Sequence, residues 1–335
     1  MKKFLVVCAA SLLLCLHGTA QEYAPVPGAD NSGRGVGLSI IPRFDFNYNG
    51  EFTLGDSSLY SLLEGDLSDV FSFSICNHWL AADVESIGAL YKNSFRTDDV
   101  NWVDWAYLTA NLGNFSLSLG KQPMAFGGFE FDAYDFESHS FLASSTWNNL
   151  QVYQWGAKLG WTDEEETTTL SAQVTTSPFG ARPVTSKLFN YAVEWRGEFD
   201  TFRTIWAFNA IQRDVNDFIP IVTLGTQYDL NDSFTAGLDV FSSVGDEDNM
   251  VMNGLTMIPT LAFHPSESFE IKARIGGELN SKTGNKDLIA GLDGFWFPVE
   301  DNENLRLHFA AGYRHDDNLL AFTLGAIYYL NIPRR

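Results

Sequence analysis

Along most of this chain side-chain character alternates with a period of two, and that feature decides what it can fold into. From residue 38 to 48 the even positions are Leu38, Ile40, Pro42, Phe44, Phe46 and Tyr48, with Ser39, Arg43, Asp45 and Asn47 between them. Phe115, Leu117 and Leu119 alternate with Ser116, Ser118 and Gly120. Phe189, Tyr191, Val193 and Trp195 alternate with Asn190, Glu194 and Arg196. The same rhythm sets Phe269, Ile271, Ala273 and Ile275 against Glu270, Lys272 and Arg274, and Leu305, Leu307 and Phe309 against Arg306 and His308. Successive side chains of a strand point to opposite faces, so each segment is a strand with one greasy face and one ionised face. Strands of a soluble sandwich are usually about five or six residues long. These run to about ten, the length that crosses a bilayer when tilted by about 45°. Tyr and Trp near the strand ends, such as Tyr48, Trp105, Trp161, Trp195, Tyr228, Trp296 and Tyr328, suit a membrane–water boundary, where ring and polar tip are both satisfied.

About sixteen such segments (14–18) can be counted, near 35–48, 57–67, 70–84, 101–112, 115–124, 150–161, 167–177, 187–198, 200–212, 217–230, 233–242, 252–263, 269–279, 287–298, 305–314 and 319–331. Turns at Ser68-Asp69, Gly113-Asn114 and Asn231-Asp232 are short, whereas 85–100, 125–149, 178–186 and 243–251 are long. The expected fold is all-β: a transmembrane antiparallel up-and-down β-barrel with tight turns on one side and long loops on the other. Closure leaves no edge and pairs every backbone polar group inside the lipid.

Composition narrows the function. With 21 Lys+Arg against 42 Asp+Glu the net charge is −21, which argues against a nucleic-acid partner. No metal-ligand or cofactor motif stands out, and the mature histidines (His78, His139, His264, His308, His315) are scattered. A Ser138 or Ser140 pairing with His139 is the only trace of a hydrolase, and the chain is not expected to be an enzyme. Lys2 and Lys3, an apolar stretch over 4–16 and Gly18-Thr19-Ala20 read as a signal peptide over 1–20. Residues 21–34 follow as a short periplasmic segment and 35–335 as the barrel. Cys8 and Cys15 leave with the leader, and Cys76 remains as a small buried apolar residue. Asp246-Glu247-Asp248-Asn249 and Asp316-Asp317 are solvated acidic loops or sites for cations that bridge lipopolysaccharide.

The long connection 125–149 is where function is expected. Gly127 and Gly128 would let the chain turn sharply inward, Phe126, Phe129, Phe131 and Phe136 would pin it to the wall, and Glu130, Asp132, Asp135 and Glu137 would line a constriction. Arg43, Lys121, Arg203, Lys272, Arg274, Arg306 and Arg314 are the basic residues expected along the pore. Acid on the loop facing base on the wall would set up a transverse field. The layout resembles that of sixteen-stranded outer-membrane porins, whose third long loop folds into the lumen. Gly120-Lys121-Gln122-Pro123-Met124-Ala125-Phe126-Gly127-Gly128-Phe129-Glu130 is similar to the Gly-basic…Phe-Gly-x-Glu element of the phosphate-selective porin O/P family, as found in Bacteroidota. The resemblance implies a water-filled channel in the cell outer membrane, through which small hydrophilic solutes and ions diffuse. Its partners would be outer-membrane lipid and lipopolysaccharide, and a homotrimer is compatible with it. A phosphate pore needs a ladder of Lys and Arg, which this acidic chain lacks, so weak selectivity tilted to cations or neutral solutes is expected. The alternatives are a plugged structural or adhesion barrel and, behind it, an outer-membrane hydrolase.

Overall fold

The computed structural model describes residues 35–81, 103–134, 137–139, 141–180, 187–244, 251, 254–279, 286–299, 303–315 and 318–332. The leader, the segment 21–34 and both acidic stretches proposed to bind cations lie outside them. Sixteen strands follow in chain order: β1 (Val36–Tyr48), β2 (Ser58–Asp66), β3 (Phe71–Ala81), β4 (Val103–Leu112), β5 (Phe115–Pro123), β6 (Tyr153–Thr162), β7 (Thr168–Thr176), β8 (Phe189–Phe199), β9 (Phe202–Asp214), β10 (Asp217–Asn231), β11 (Phe234–Ser243), β12 (Leu255–Ser266), β13 (Phe269–Leu279), β14 (Lys286–Trp296), β15 (Leu305–Arg314) and β16 (Leu319–Tyr328). A short piece, Phe52–Thr53, extends the β1–β2 hairpin, and β16 resumes beyond Tyr329 as Leu330–Ile332.

Every strand pairs antiparallel with the next, and β1 pairs with β16 in the register Arg43↔Ile327 to Tyr48↔Phe322. The other edge of β1 holds β2, from Val36↔Gly65 to Arg43↔Ser58. The sheet is thus a closed antiparallel sixteen-stranded barrel. No helix of the described residues is long and apolar enough to cross a membrane.

The period-two pattern sorts the two faces. Phe44 and Phe46 are 61% and 62% exposed on the outer surface, and Asp45 between them is 0% exposed. On β8, Tyr191 and Val193 face outward while Asn190, Ala192 and Glu194 are buried. Trp195 and Trp206 are register partners and meet edge to face with centroids 4.9 Å apart, a favourable geometry for an aromatic pair on a sheet face.

The inner face departs from a uniformly polar wall. Ile211, Ile219, Ile221, Phe241 and Ile258 are buried inward as one apolar cluster. Ile41, Leu62, Cys76 and Ile327 form a second with Tyr60, Trp105 and Tyr329. Alternation alone does not predict these positions, because an inward apolar side chain is stable only where something covers it.

Two of the three tight turns shift by a residue or two. Gly113-Asn114 joins β4 to β5 as expected, but the second connection is 67–70 and the tenth is 232–233. The ninth connection, 215–216, falls among the long ones yet has two residues. Asn216 takes φ 66° there, a left-handed conformation Asn tolerates in a tight turn.

If the outer face touches lipid, Val193→Lys at the middle of β8 will cost about 2–4 kcal/mol of folding free energy, the usual penalty for a cation at the bilayer midplane. Urea unfolding in lipid vesicles measures this, and an unchanged stability would contradict the assignment of faces.

Candidate functional site

After Pro123 the chain turns into the barrel instead of away from it. Gly127 and Gly128 make the turn at φ 81° and φ 80°. A Cβ on Gly127 would meet that of Ala207 at 2.8 Å, and one on Gly128 would meet Phe241 Cε1 at 3.0 Å. Both glycines are therefore needed twice, for backbone angle and for close approach. The Gly128 amide donates to the Ile205 carbonyl at 3.0 Å.

Polar inward side chains of the wall then satisfy the segment's backbone. Gln173 on β7 accepts from the Ala125 amide at 2.7 Å and donates to the Pro123 carbonyl at 2.8 Å. Asn209 on β9 donates to the Ala125 carbonyl at 3.1 Å. The two oxygens of Asp239 on β11 accept from the amides of Phe129 and Glu130 at 2.9 and 2.8 Å. Phe126 and Phe131 pack on each other and on Phe241, at centroid distances of 4.4, 6.0 and 5.5 Å. They cover the first inward apolar cluster, and Tyr134 stacks on Trp105 beside the second. Burial pushes the Tyr134 phenol up, with Glu64 adding to the effect.

The expected constriction acids are in contact with wall arginines. Glu130 lies 3.2 Å from Arg274 of β13, Asp132 lies 2.7 Å from Arg196 of β8, and Glu137 lies 2.6 Å from Arg306 of β15. The Arg306 guanidinium also sits 4.7 Å over the Tyr329 ring. Asp135 and Phe136 lie outside the described residues. A transverse field needs acid and base on opposite sides of a gap, and these three pairs leave none between their partners.

Glu130 also accepts from Ser144, at 3.0 Å from the amide and 2.6 Å from the hydroxyl. That hydroxyl in turn caps Trp147 at the start of α1 (Ser145–Asn149), a short helix within a stretch read as loop. Beyond the pairs, Arg274 donates to the Leu142 carbonyl, Arg314 to the Ala143 carbonyl, and Glu278 accepts from the Ser145 amide, at 2.9, 2.6 and 2.7 Å. The other basic candidates do different work. Arg203 pairs with Asp229 at 2.9 Å, Lys272 with Glu270 at 3.5 Å, and Lys121 donates to the Val103 carbonyl at 2.6 Å.

Arg43 is the largest departure from expectation. It is no open pore cation but 2% exposed, with Asp45, His139 and His308 around it. It donates to Asp45 at 2.7 and 3.1 Å, to the Ser138 carbonyl at 2.6 Å and to His139 Nδ1 at 3.1 Å. His308 Nε2 bonds Asp45 at 2.8 Å. Asp45, His139 and His308 bring three atoms of metal-ligating kind within 4.8 Å of one another, but they do not fit an ion. Arg43 can only donate, so His139 Nδ1 must hold the lone pair it receives on and Nε2 the proton. Asp45 fixes the proton of His308 on Nε2 and has its second oxygen taken by Arg43. What is left for a cation is the lone pair of His308 Nδ1 and a remaining one on Asp45, beside a guanidinium that would repel it. Of the two serines considered as nucleophiles, Ser138 donates its hydroxyl to the Tyr134 carbonyl at 3.1 Å, and Ser140 lies outside the described residues.

Sequence reasoning missed Gln173 and Asn209, which are neutral and so absent from a search for charge. The signal was available: Val174 and Phe208 next to them face outward, which turns the amides inward.

No protein-family model matches this chain, and no curated protein matches it. Solved structures do. A variant of Rhodopseudomonas blastica porin is 12% identical, with a TM-score of 0.64 over 88% of this chain and 100% of that one. A second variant of that porin gives 12% and 0.63. OmpT, an outer membrane protein of Vibrio cholerae solved in a trimer form, is 11% identical, with a TM-score of 0.55 over 88% and 98% of the two chains. At such identities the likeness is one of fold: this chain has the barrel of the porins.

Removing one partner of a buried ion pair typically costs about 3–5 kcal/mol. Glu130→Gln is therefore expected to loosen the in-folded segment and expose it to proteolysis at least tenfold faster, with the barrel still heat-modifiable on a gel. Adding Arg274→Gln should cost much less than it does alone; fully additive effects would show that the pair does not act as a unit.

Proposed function

We propose that this chain is an outer-membrane porin, a passive diffusion channel for small hydrophilic solutes and ions that carries out no catalysis. What supports this most is the chemistry of the two faces. An apolar outer band suits lipid and lipopolysaccharide as neighbours, and an inner wall bearing Arg196, Glu194, Arg274, Glu278, Arg306 and Arg314 suits water. That face, with the leader expected over 1–20, supports an exported, outer-membrane location. A homotrimer fits the trimer form in which OmpT was solved.

Selectivity is proposed to be weak. The resemblance to phosphate-selective porins carries an expectation of anion preference that the wall does not favour. Arg43, Arg196, Arg203, Arg274 and Arg306 each stand within 3.2 Å of a carboxylate. A phosphate entering the lumen would have to compete with those carboxylates for each of these five guanidiniums.

One observation favours a second reading, a plugged structural barrel. The in-folded segment is bonded to β1, β7, β8, β9, β11, β13 and β15, so it is anchored around the wall and not along one side.

Reconstitution in planar bilayers separates the two. The channel reading predicts discrete current steps, with small reversal potentials in a salt gradient that favour cations. Silence would hand the chain to the plugged reading, and a strong chloride preference would overturn weak selectivity.

A further inference from the structure

We propose that Arg43, Asp45, His139 and His308 form a proton-operated latch: neutral His139 holds the stretch around it against the wall, and protonation releases that stretch into the lumen. As regulation of a pore this rests on the channel reading; as a docking equilibrium it is a property of the chain alone.

The geometry requires a neutral imidazole. The bond between Arg43 Nη2 and His139 Nδ1 at 3.1 Å exists only while that nitrogen has a lone pair. A proton there would set donor against donor and add a cation to a site where His139 is 5% and His308 1% exposed. Arg43 grips two consecutive residues, the Ser138 carbonyl and the His139 ring, so both bonds belong to one docked geometry.

The charged surroundings give little relief. From β1 come Arg43 and Asp45, and from the connection behind it Asp56, 3.7 Å from Arg43. From β13 comes Arg274, which also disfavours the cation. From β15 comes His308, its ring centroid 5.2 Å from that of His139. Within the segment itself, Glu137 is committed to Arg306. Among the described residues the carboxylate beside the ring is Asp45, and it already serves Arg43 and His308. Among the described residues His139 Nε2 and His308 Nδ1 are buried with no hydrogen-bond partner, so none of these residues gives either ring a second anchor to offset the loss.

Burial, with Arg43 and His308 adding to it, holds the docked His139 well below the ordinary histidine range. Undocked and in water, the same ring titrates near pH ~6.5. The released form therefore binds the proton more tightly. Docking is complete above pH ~6.5 and weakens roughly tenfold per pH unit below it, until the docked ring itself titrates. The bonds from Asp239, Gln173 and Glu278 involve no histidine, so the release is local.

The amides of Leu142 and Ala143 report on it, since both donate to the His139 carbonyl, at 2.9 and 3.1 Å. Hydrogen exchange of the full chain folded in detergent, corrected for intrinsic rates, should show their protection falling roughly tenfold per pH unit between pH ~6.5 and ~5. Strand amides should not change. His139→Gln keeps an acceptor for Arg43 but takes no proton, and should flatten the response. His308→Gln leaves His139 in place and should retain it. Constant protection in the unmodified chain, an unchanged response in His139→Gln, or its loss in His308→Gln would each overturn the latch. Heat-modifiable migration confirms that each variant has folded. Exchange is read without current, so a barrel that conducts nothing but still loosens in acid would reject the channel and keep the latch.

Discussion

The pairing of β1 with β16 is the constraint on which the rest of this molecule depends. Each backbone N–H or C=O left open in hydrocarbon costs several kcal/mol, and a sheet with free edges would carry two rows of them. β1 meets this by serving both neighbours at once, holding β2 along one edge and β16 along the other. Closure also fixes which residues face inward. A slip of one residue in β1 would carry Arg43 and Asp45 to the outer face and bring Phe44 and Phe46 inside. The hydrogen-bond ring and the buried charge cluster thus enforce the same register from opposite sides.

A ring of sixteen strands encloses more space than wall side chains can fill, and the in-folded segment answers this. It arrives with aromatic rings for the inward apolar patch around Ile219, Ile221 and Phe241, and with acids for the arginines. Neither half is sensible alone. Without the segment the isoleucines would face water, and the buried Glu130 would have no place to meet Arg274. Burying such pairs brings a desolvation cost that the attraction between partners only partly offsets. Their value is in position: planar guanidiniums on β8, β13 and β15 hold particular carboxylates and carbonyls at particular points of the segment.

How much of this could be read beforehand depends on what selects each residue. Every outward position lies on one face of the closed sheet and every inward one on the other, so the alternation at Phe44-Asp45-Phe46 or Tyr191-Ala192-Val193 shows in the chain and all sixteen strands are legible. Turns are less so, because Asn231 and Leu67 are compatible with either strand or turn. The segment's inward course was legible in Gly127 and Gly128 and in the run of phenylalanines. The contacts were not. Glu137 and Arg306 are far apart along the chain, and nothing local says whether they face each other across water or touch. His139 and His308 looked scattered for the same reason, and Ile41 was hidden between two outward apolar residues. Helix α1 is short, and its cap at Ser144 depends on Glu130 from an earlier part of the segment.

Contact between acid and base also bears on what such a pore could discriminate. Two opposite charges held 2.6–3.2 Å apart act on a passing ion as a short dipole, whose field falls off faster than that of either charge alone. The inner wall is therefore electrically quieter than its number of ionised residues suggests. The chain nevertheless carries 21 more acids than bases, and part of that excess sits exposed in the short turns, at Glu164, Glu165, Glu166, Asp200, Asp232 and Glu267. Charges at such a rim act through water, over a screening length of about 10 Å at 0.1 M salt and about 3 Å at 1 M. A preference arising there would be for cations, and it would fade with salt. One set by unpaired charges at a narrow constriction would persist, because close and partly buried charges are screened far less. On the channel reading proposed above, the paired geometry of Glu130, Asp132 and Glu137 favours the first kind.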